Sequence, residues 1–281
     1  MSKFAYINSK YKIFKDAKIH VEDRGLQFSD SIYEVIPLFK EKLIDYSYHI
    51  KRLKFSLKQI NLKFKFDKTN FKKIINKLII LNNIKNGIIY IQITRGLQKR
   101  DHAYKKNIKP NLIIYPMKKN FNLPNKNFKG KKAITSEDLR WKRRDIKSVS
   151  LLANVLAKKI AESKGAYEAI LIDKNIVTEG CSSNVWIIKK KILITHPTNT
   201  DILKGITRQA IKKLLIKEKI TFKEKKFTKD YMLNADEVFV TSSGSFVTPI
   251  VKIDGVKINE GKIGKITKKL ADLYYQEIKN A

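Results

Sequence analysis

Segments with helical spacing alternate with segments of strand spacing along this chain of 281 residues, and one aperiodic stretch divides them into two groups. That order predicts two mixed α/β (α+β) domains. Ahead of the break, residues 4–14 are short apolar runs split by Asn8-Ser9, the pattern of a hairpin. Ile50, Leu53, Leu57 and Ile60 share one face of a helix expected over residues 48–60. Phe71, Ile74, Ile75, Leu78 and Ile79 do the same over residues 68–81. Gly87–Thr94 and residues 111–115 are β-rich. Residues 119–132, with Pro124, Gly130 and several Lys and Asn, carry no period and read as a linker between a domain at 1–118 and one at 133–281. Past it, a helix is expected over 151–163, with Leu152, Val155, Leu156 and Ile160 on one face, then strands at 169–172, 185–188 and 192–195. A helix opening near Gly205, a buried strand at 237–241 and a closing helix at 262–279 complete the chain, without internal repeats.

Apolar residues make up 43% and aromatics 10%, enough for a buried core, which excludes disordered and fibrous classes. A lone cysteine, Cys181, can form no internal disulfide and is too few for a zinc cluster, so a reducing, cytoplasmic setting is expected. His20, His49, His102 and His196 show no His-x-x-x-His spacing, so no metal is expected. The first thirty residues hold no apolar leader, and nowhere do 18 apolar residues run without a charge, which reads as soluble with no membrane partner. The net charge of +34 suggests a nucleic-acid binder. Against that, only eight of the 60 basic residues are Arg, and the lysines are spread among apolar residues as solvated faces require. Abundant Lys, Ile and Asn fit an AT-rich coding bias, so no nucleic-acid partner is expected; a nucleic-acid-binding protein remains the alternative from another class.

Several segments have the chemistry of a site but read two ways. Residues 203–208 stand where a loop becomes a helix, so they form either an ordinary capped start or an anion site built on free N–H groups and Thr207. Thr241-Ser242-Ser243-Gly244-Ser245 is either a polar turn or a second anion loop. Glu179 opens a tight strand connection, as a solvated turn residue or a buried partner. Residues 140–147 read as a basic face ahead of a helix, and among so many lysines spacing alone does not single out Lys147. Neither GxGxxG nor GxSxG occurs, and His196 has no Ser and Asp at motif spacing, so dinucleotide and serine-hydrolase chemistry lack support.

Taken in order, Glu22-Asp23-Arg24-Gly25-Leu26-Gln27-Phe28, Thr94-Arg95-Gly96 with Arg100-x-His102, Asp145-Ile146-Lys147-Ser148, Val177-Thr178-Glu179-Gly180-x-Ser182-Ser183-Asn184-Val185, Lys204-Gly205-Ile206-Thr207-Arg208 and Val240-Thr241-Ser242 form a set. With these the chain resembles the fold-type IV, pyridoxal-phosphate-dependent class IV aminotransferases from about Tyr6 to Leu273, and Arg100-x-His102 makes it most similar to their D-amino acid aminotransferase branch. The resemblance implies a small N-terminal α/β domain and a larger C-terminal α/β pseudo-barrel domain. It implies that Lys147 forms a Schiff base with pyridoxal 5′-phosphate and moves the proton between Cα and C4′. Glu179 would face the pyridine nitrogen, while Arg52, Ile206, Thr207, Ser242 and Ser243 would hold the phosphate. Tyr33, Arg100, His102 and Ser182 would meet the substrate, with Arg100 and His102 reaching in from the neighbouring subunit of a homodimer. The implied partners are small amino acids and 2-oxo acids, D-alanine and 2-oxoglutarate foremost. A branched-chain L-amino acid aminotransferase or an aminodeoxychorismate lyase on the same scaffold is the alternative, and Arg100-x-His102 argues against both. Ser29 and Ser31, where relatives often have glycine, and Gly244, where they keep a hydroxyl residue, depart from the pattern.

Overall fold

Asn8 and Ser9 both take left-handed backbone, with φ of 45° and 74°, as a two-residue turn matched to strand twist requires. The chain reverses there between β1 (Phe4–Ile7) and β2 (Lys10–Ile13), as the split apolar runs predict. This computed structural model describes residues 2–125 and 128–280, which fall into two units with separate cores. The first takes the chain up to Asn120 and regains Ile146–Ser150; the second takes Phe121–Asp145 and Leu151 onward.

In the first unit, α1 (Arg24–Phe28) leads to β3 (Ser31–Phe39) and β4 (Lys42–Leu43). Two helices follow, α2 (Tyr46–Gln59) and α3 (Lys68–Asn82), then β5 (Gly87–Thr94) and β6 (Asn111–Lys118). The strands make one antiparallel sheet in the order β2-β1-β6-β5-β3-β4. Alternation sets its faces. Ile32, Ile36 and Leu38 of β3 and Ile89, Ile91 and Ile93 of β5 are fully buried against Ile50, Leu53 and Leu57 of α2 and Ile75 and Leu78 of α3. Asp67 caps α3 by accepting from the N–H groups of Thr69 and Asn70, and left-handed Asn83 ends it.

The β3–β4 pairing covers only Leu38 and Phe39, so the opening residues of β3 would have a bare edge on that side. Residues 146–150 fill it. Ser148 bridges Ile32, the Lys147 carbonyl accepts from the Tyr33 N–H at 2.9 Å, and Val149 N–H donates to the Ser31 carbonyl. Main-chain groups at a strand edge need partners, and this return supplies them. It differs from the expected division, which keeps 133–281 in one piece.

Ser29, at the end of α1, adopts the left-handed conformation (φ 54°) that favours the glycine of relatives, whereas Ser31 is extended and begins β3. A left-handed non-glycine residue costs about 1 kcal/mol, so Ser29 is tolerated there without disturbing Tyr33's place in the strand.

The second unit runs β7 (Lys131–Glu137), α4 (Leu152–Ser163), β8 (Glu168–Asp173), β9 (Ile176–Gly180), β10 (Asn184–Lys189), β11 (Ile192–Thr195) and α5 (Ile206–Lys217). It continues through β12 (Phe222–Glu224), α6 (Lys229–Leu233), β13 (Glu237–Ser242), β14 (Phe246–Ile253), β15 (Val256–Lys257) and α7 (Lys265–Asn280). Lys131 and Lys132, expected in the linker, belong to β7 because they pair with β14. The sheet order is β12-β11-β10-β13-β14-β7-β8-β9, with β15 on β14, and β9 also lies against β10, which curls the sheet. Val177, Val185, Ile187, Val238, Val240 and Ile250 form one core with Met232 of α6.

Helix α4 meets β7 and β8 through small residues, Ala157 and Ala161 packing on Ala169, Leu171 and Cys181. Its larger apolar residues point the other way: Leu152 is 72% exposed, Val155 58%, Leu156 55% and Ile160 46%. Helical spacing found the stripe, but the core took the alanine face. Among the described residues no helix is long and apolar enough to cross a membrane, and no group of three His, Cys, Asp or Glu is placed to hold a metal.

Candidate active site

The candidate residues fall into a group in each unit. In the first, alternation along β3 sends Tyr33 and Glu34 to opposite faces. Lys147 Nζ lies 4.2 Å from the centre of the half-buried Tyr33 ring. The lysine's main chain is fixed on both sides, its N–H donating to Ser56 Oγ at 3.2 Å and its carbonyl accepting from Tyr33. The amine therefore projects from a paired segment, which is how a reactive group is kept in register.

Behind β3, Glu34 is fully buried and accepts from Arg52 Nε at 2.7 Å and Nη2 at 2.9 Å, with His49 Nδ1 at 2.8 Å. Burial alone would push this carboxyl up, but the Arg52 charge and the bonds from Arg52 and His49 outweigh it and hold it far below the usual range. Burial drives the His49 pKa down against the pull of Glu34, so a neutral ring donates its Nδ1–H to a carboxylate that can only accept. Arg52, expected at a phosphate, is thus oriented by Glu34. The motif set contains neither Glu34 nor His49; the available signal was an acid in the inward register of Ile32, Ile36 and Leu38.

Arg100 and His102 both sit on the exposed loop after β5. The Arg100 guanidinium stands 4.7 Å from the centre of the Phe28 ring, and the His102 ring lies 5.3 Å from it. One aromatic side chain therefore presents both.

In the second unit Glu179 is buried at the end of β9. Its Oε1 accepts from Arg140 Nη1 at 2.5 Å and Leu203 N–H at 3.1 Å, and its Oε2 from Asn184 Nδ2 at 2.9 Å. Of the two readings left open, the buried partner is the one found. Burial pushes this carboxyl up, and Arg140 and the Leu203 N–H pull it partly back. Arg140 is no solvated surface residue: its side chain is only 8% exposed, and its Nε and Nη2 also hold Asp138 at 2.9 and 2.8 Å. Burial works against its charge, but Glu179 and Asp138 prevail and move its pKa up.

Asn184 links this carboxylate to the start of α5. Its Nδ2 also donates to the Leu203 carbonyl, and a Cβ on Gly205 would come within 2.0 Å of its Oδ1, so only glycine fits there. No side chain caps α5, leaving the N–H groups of its first turn, Ile206 and Thr207 among them, as donors for an anion. Asn184 is registered against Thr241, which sets Ser242 and Ser243 beside the same region; Ser242 Oγ meets Ser245 Oγ at 2.8 Å across the turn containing Gly244. Glu179, the α5 N-terminus and the 242–245 turn are thus brought together.

Ser182, expected at substrate, gives its hydroxyl proton to Glu168 Oε2 at 2.9 Å, as Ser183 does at 2.7 Å, while Cys181 Sγ donates to Oε1. Burial, then Glu168, pushes the Cys181 thiol up to about 12, so it is a packed, protonated thiol and no nucleophile.

Residues 31–253 match the amino-transferase class IV family. The chain belongs to that family. It is 43% identical over 267 residues to a D-alanine aminotransferase of Staphylococcus epidermidis, covering 94% of each chain. It is 41% identical over 256 residues to a D-alanine aminotransferase of Bacillus licheniformis, covering 90% of this chain and 89% of that one. A branched-chain amino acid aminotransferase of Escherichia coli shares 24% identity and superposes with a TM-score of 0.88 over 98% of this chain and 94% of its own. That last likeness shows the fold, the fold-type IV arrangement that the motif order implies. For a class IV aminotransferase the second-unit group offers a buried acid next to an uncapped helix start, and the first-unit group a lysine amine over a tyrosine ring.

Proposed function

We propose that this aminotransferase exchanges an amino group between a D-amino acid, D-alanine foremost, and a 2-oxo acid such as 2-oxoglutarate, using pyridoxal 5′-phosphate. The observation that carries the reading is the joint presentation of Arg100 and His102 on Phe28, two donor groups suited as a pair to a carboxylate. D-Alanine aminotransferases at 41–43% identity support the substrate class.

The donor set fits the cofactor. The first-turn N–H groups of Ile206 and Thr207 and the hydroxyls of Ser242 and Ser243 suit a phosphate, and a Cβ on Gly205 would come within 2.0 Å of Asn184 Oδ1. Glu179, made more basic by burial, would keep a proton on a pyridine nitrogen. When bound, the cofactor supplies an aldehyde for the lysine amine and a ring that accepts electrons from Cα. Lys147 Nζ, set free when the substrate amine takes its place, would accept the proton from Cα and deliver it to C4′ on the same face. Tyr33 holds this amine over its ring, and Arg100 with His102 fixes the carboxylate, so Cα–H faces Lys147 for one enantiomer only.

The same reading makes the protein a homodimer in which Arg100 and His102 serve the neighbouring subunit. The exposed stripe on α4 supports a second copy as partner, because monomers seldom leave four large apolar side chains together in water. Leu156→Glu is expected to shift the sedimenting species from two 32.7 kDa chains to one; an unchanged dimer would remove α4 from the interface.

The functional test is spectroscopic. The cofactor-loaded protein is expected to be yellow and to lose that band on addition of D-alanine but not L-leucine. Bleaching by L-leucine alone would overturn the D-amino acid reading in favour of the branched-chain one.

A further inference from the structure

Beyond the contact of Phe28 with Arg100 and His102, the Asp23–Phe28 segment has no part in the mechanism above, and its geometry points to one. We propose that Arg24, acting with Phe28 and Asp30, is a positioning residue that shapes the loop carrying Arg100 and His102 so that both reach a substrate carboxylate together. The inference rests on the reading of Arg100 and His102 as carboxylate ligands.

Arg24 is 3% exposed, although the loop it serves is open to solvent. Its guanidinium donates on every edge. Nη1 reaches the Asp101 carbonyl at 2.5 Å, Nη2 the His102 carbonyl at 3.0 Å, and Nε the Asp30 carboxylate at 2.9 Å. The two carbonyls belong to consecutive residues, one following Arg100 and the other being that of His102 itself. A planar fork matches such a pair of acceptors, and a lysine ammonium does not.

The rest of the surroundings fix the fork in turn. Asp30 Oδ2 also accepts from Arg95 Nε at 2.6 Å, and Arg95 lies 3.8 Å from the centre of the Tyr104 ring farther along the loop. The Arg24 N–H donates to the Gly96 carbonyl, and α1 lies so close to β5 that a Cβ on Gly25 would stand 2.6 Å from Thr94 Cγ2. Phe28 completes the unit: its ring centre is 4.7 Å from the Arg24 guanidinium carbon and the same distance from that of Arg100. One buried arginine therefore fixes the main chain of the loop, and one ring fixes the side chains that project from it.

A group that acts by pre-shaping a binding loop affects substrate capture more than the chemical step. Arg24→Lys is expected to raise the KM for D-alanine and for 2-oxoglutarate about tenfold while kcat stays within about twofold. The decisive measurement is a cycle with Arg100→Ala/His102→Ala. That double variant should itself raise both KM values, and adding Arg24→Lys to it should raise them no further, because the residues it acts through are gone. An equal rise from Arg24→Lys in both backgrounds, or none in either, would overturn the positioning role and leave the carboxylate reading intact. A double variant with unchanged KM would overturn the carboxylate reading, and this inference with it. Phe28→Leu, which keeps the Arg24 bonds, should give the same KM pattern, so a fold defect in Arg24→Lys leaves the question answerable.

Discussion

Lys147→Ala is expected to lower the rate of amino transfer by about 10³-fold or more, since in the proposed mechanism it removes both the amine that joins the cofactor and the base that moves the proton. The substitution is well suited to the question. The main chain of residue 147 is held by Ser56 and Tyr33 through groups that alanine retains, so the strand return at 146–150 should survive. The measurement is single-turnover conversion of D-alanine with a stoichiometric 2-oxo acid, together with intact mass after borohydride treatment of the loaded protein. Wild type should gain one cofactor's mass and the variant none. A variant that turned over at the wild-type rate would end the assignment of the proton shuttle to this residue.

Glu34→Gln is expected to lower the unfolding free energy by about 3–5 kcal/mol, the usual range when one member of a buried ion pair is removed. Glutamine keeps the volume, so no cavity confuses the result. What changes is that the buried Arg52 guanidinium loses its counter-charge at 2.7 and 2.9 Å. Denaturant titration at neutral pH measures it. The pH dependence adds a second check with a definite sign. Glu34 is held below its ordinary value of 4.5, so its contribution is present above that pH and drains away as pH falls further. His49 is also lowered, from an ordinary 6.5, so the unfolded chain binds its proton first and stability declines as pH falls below that value. Both proteins should therefore lose stability between pH 6.5 and 4.5, and only wild type should show the additional carboxylate slope below 4.5. Identical slopes there would mean that Glu34 is not the group held low.

Local patterns were the most legible part of the chain. The bounds of β5 and β11 coincide with the β-rich runs, and α2 and α3 begin and end within two residues of the expected ranges 48–60 and 68–81, because alternation and helical spacing are properties of neighbours in sequence. The apolar stripe of α4 was equally visible, but which face meets the sheet depends on how closely Ala157 and Ala161 let the helix approach, and spacing says nothing of that. Arg140 shows the same limit in charge. Within a run of basic residues it looks solvated, and it is Glu179, 39 residues on and brought to it by folding, that with the nearby Asp138 draws its side chain inward. The segments at Thr207 and Ser242 were individually ambiguous; Asn184, bonded to Leu203 and registered against Thr241, is what joins them, and that pairing is long-range. Lys147 was chosen by resemblance alone. Its distinguishing feature, a main chain stitched to β3, cannot be read from its neighbours.

The return of residues 146–150 to the first unit means that the polypeptide passes from one unit to the other three times. A fragment ending at Asn120 would lack Lys147 and expose the raw margin of β3, an invitation to unwanted strand addition. Neither half is a module that evolution or an engineer can swap by a single cut. The Lys147 amine and the integrity of the smaller sheet are inherited together, as one indivisible stretch of coding sequence.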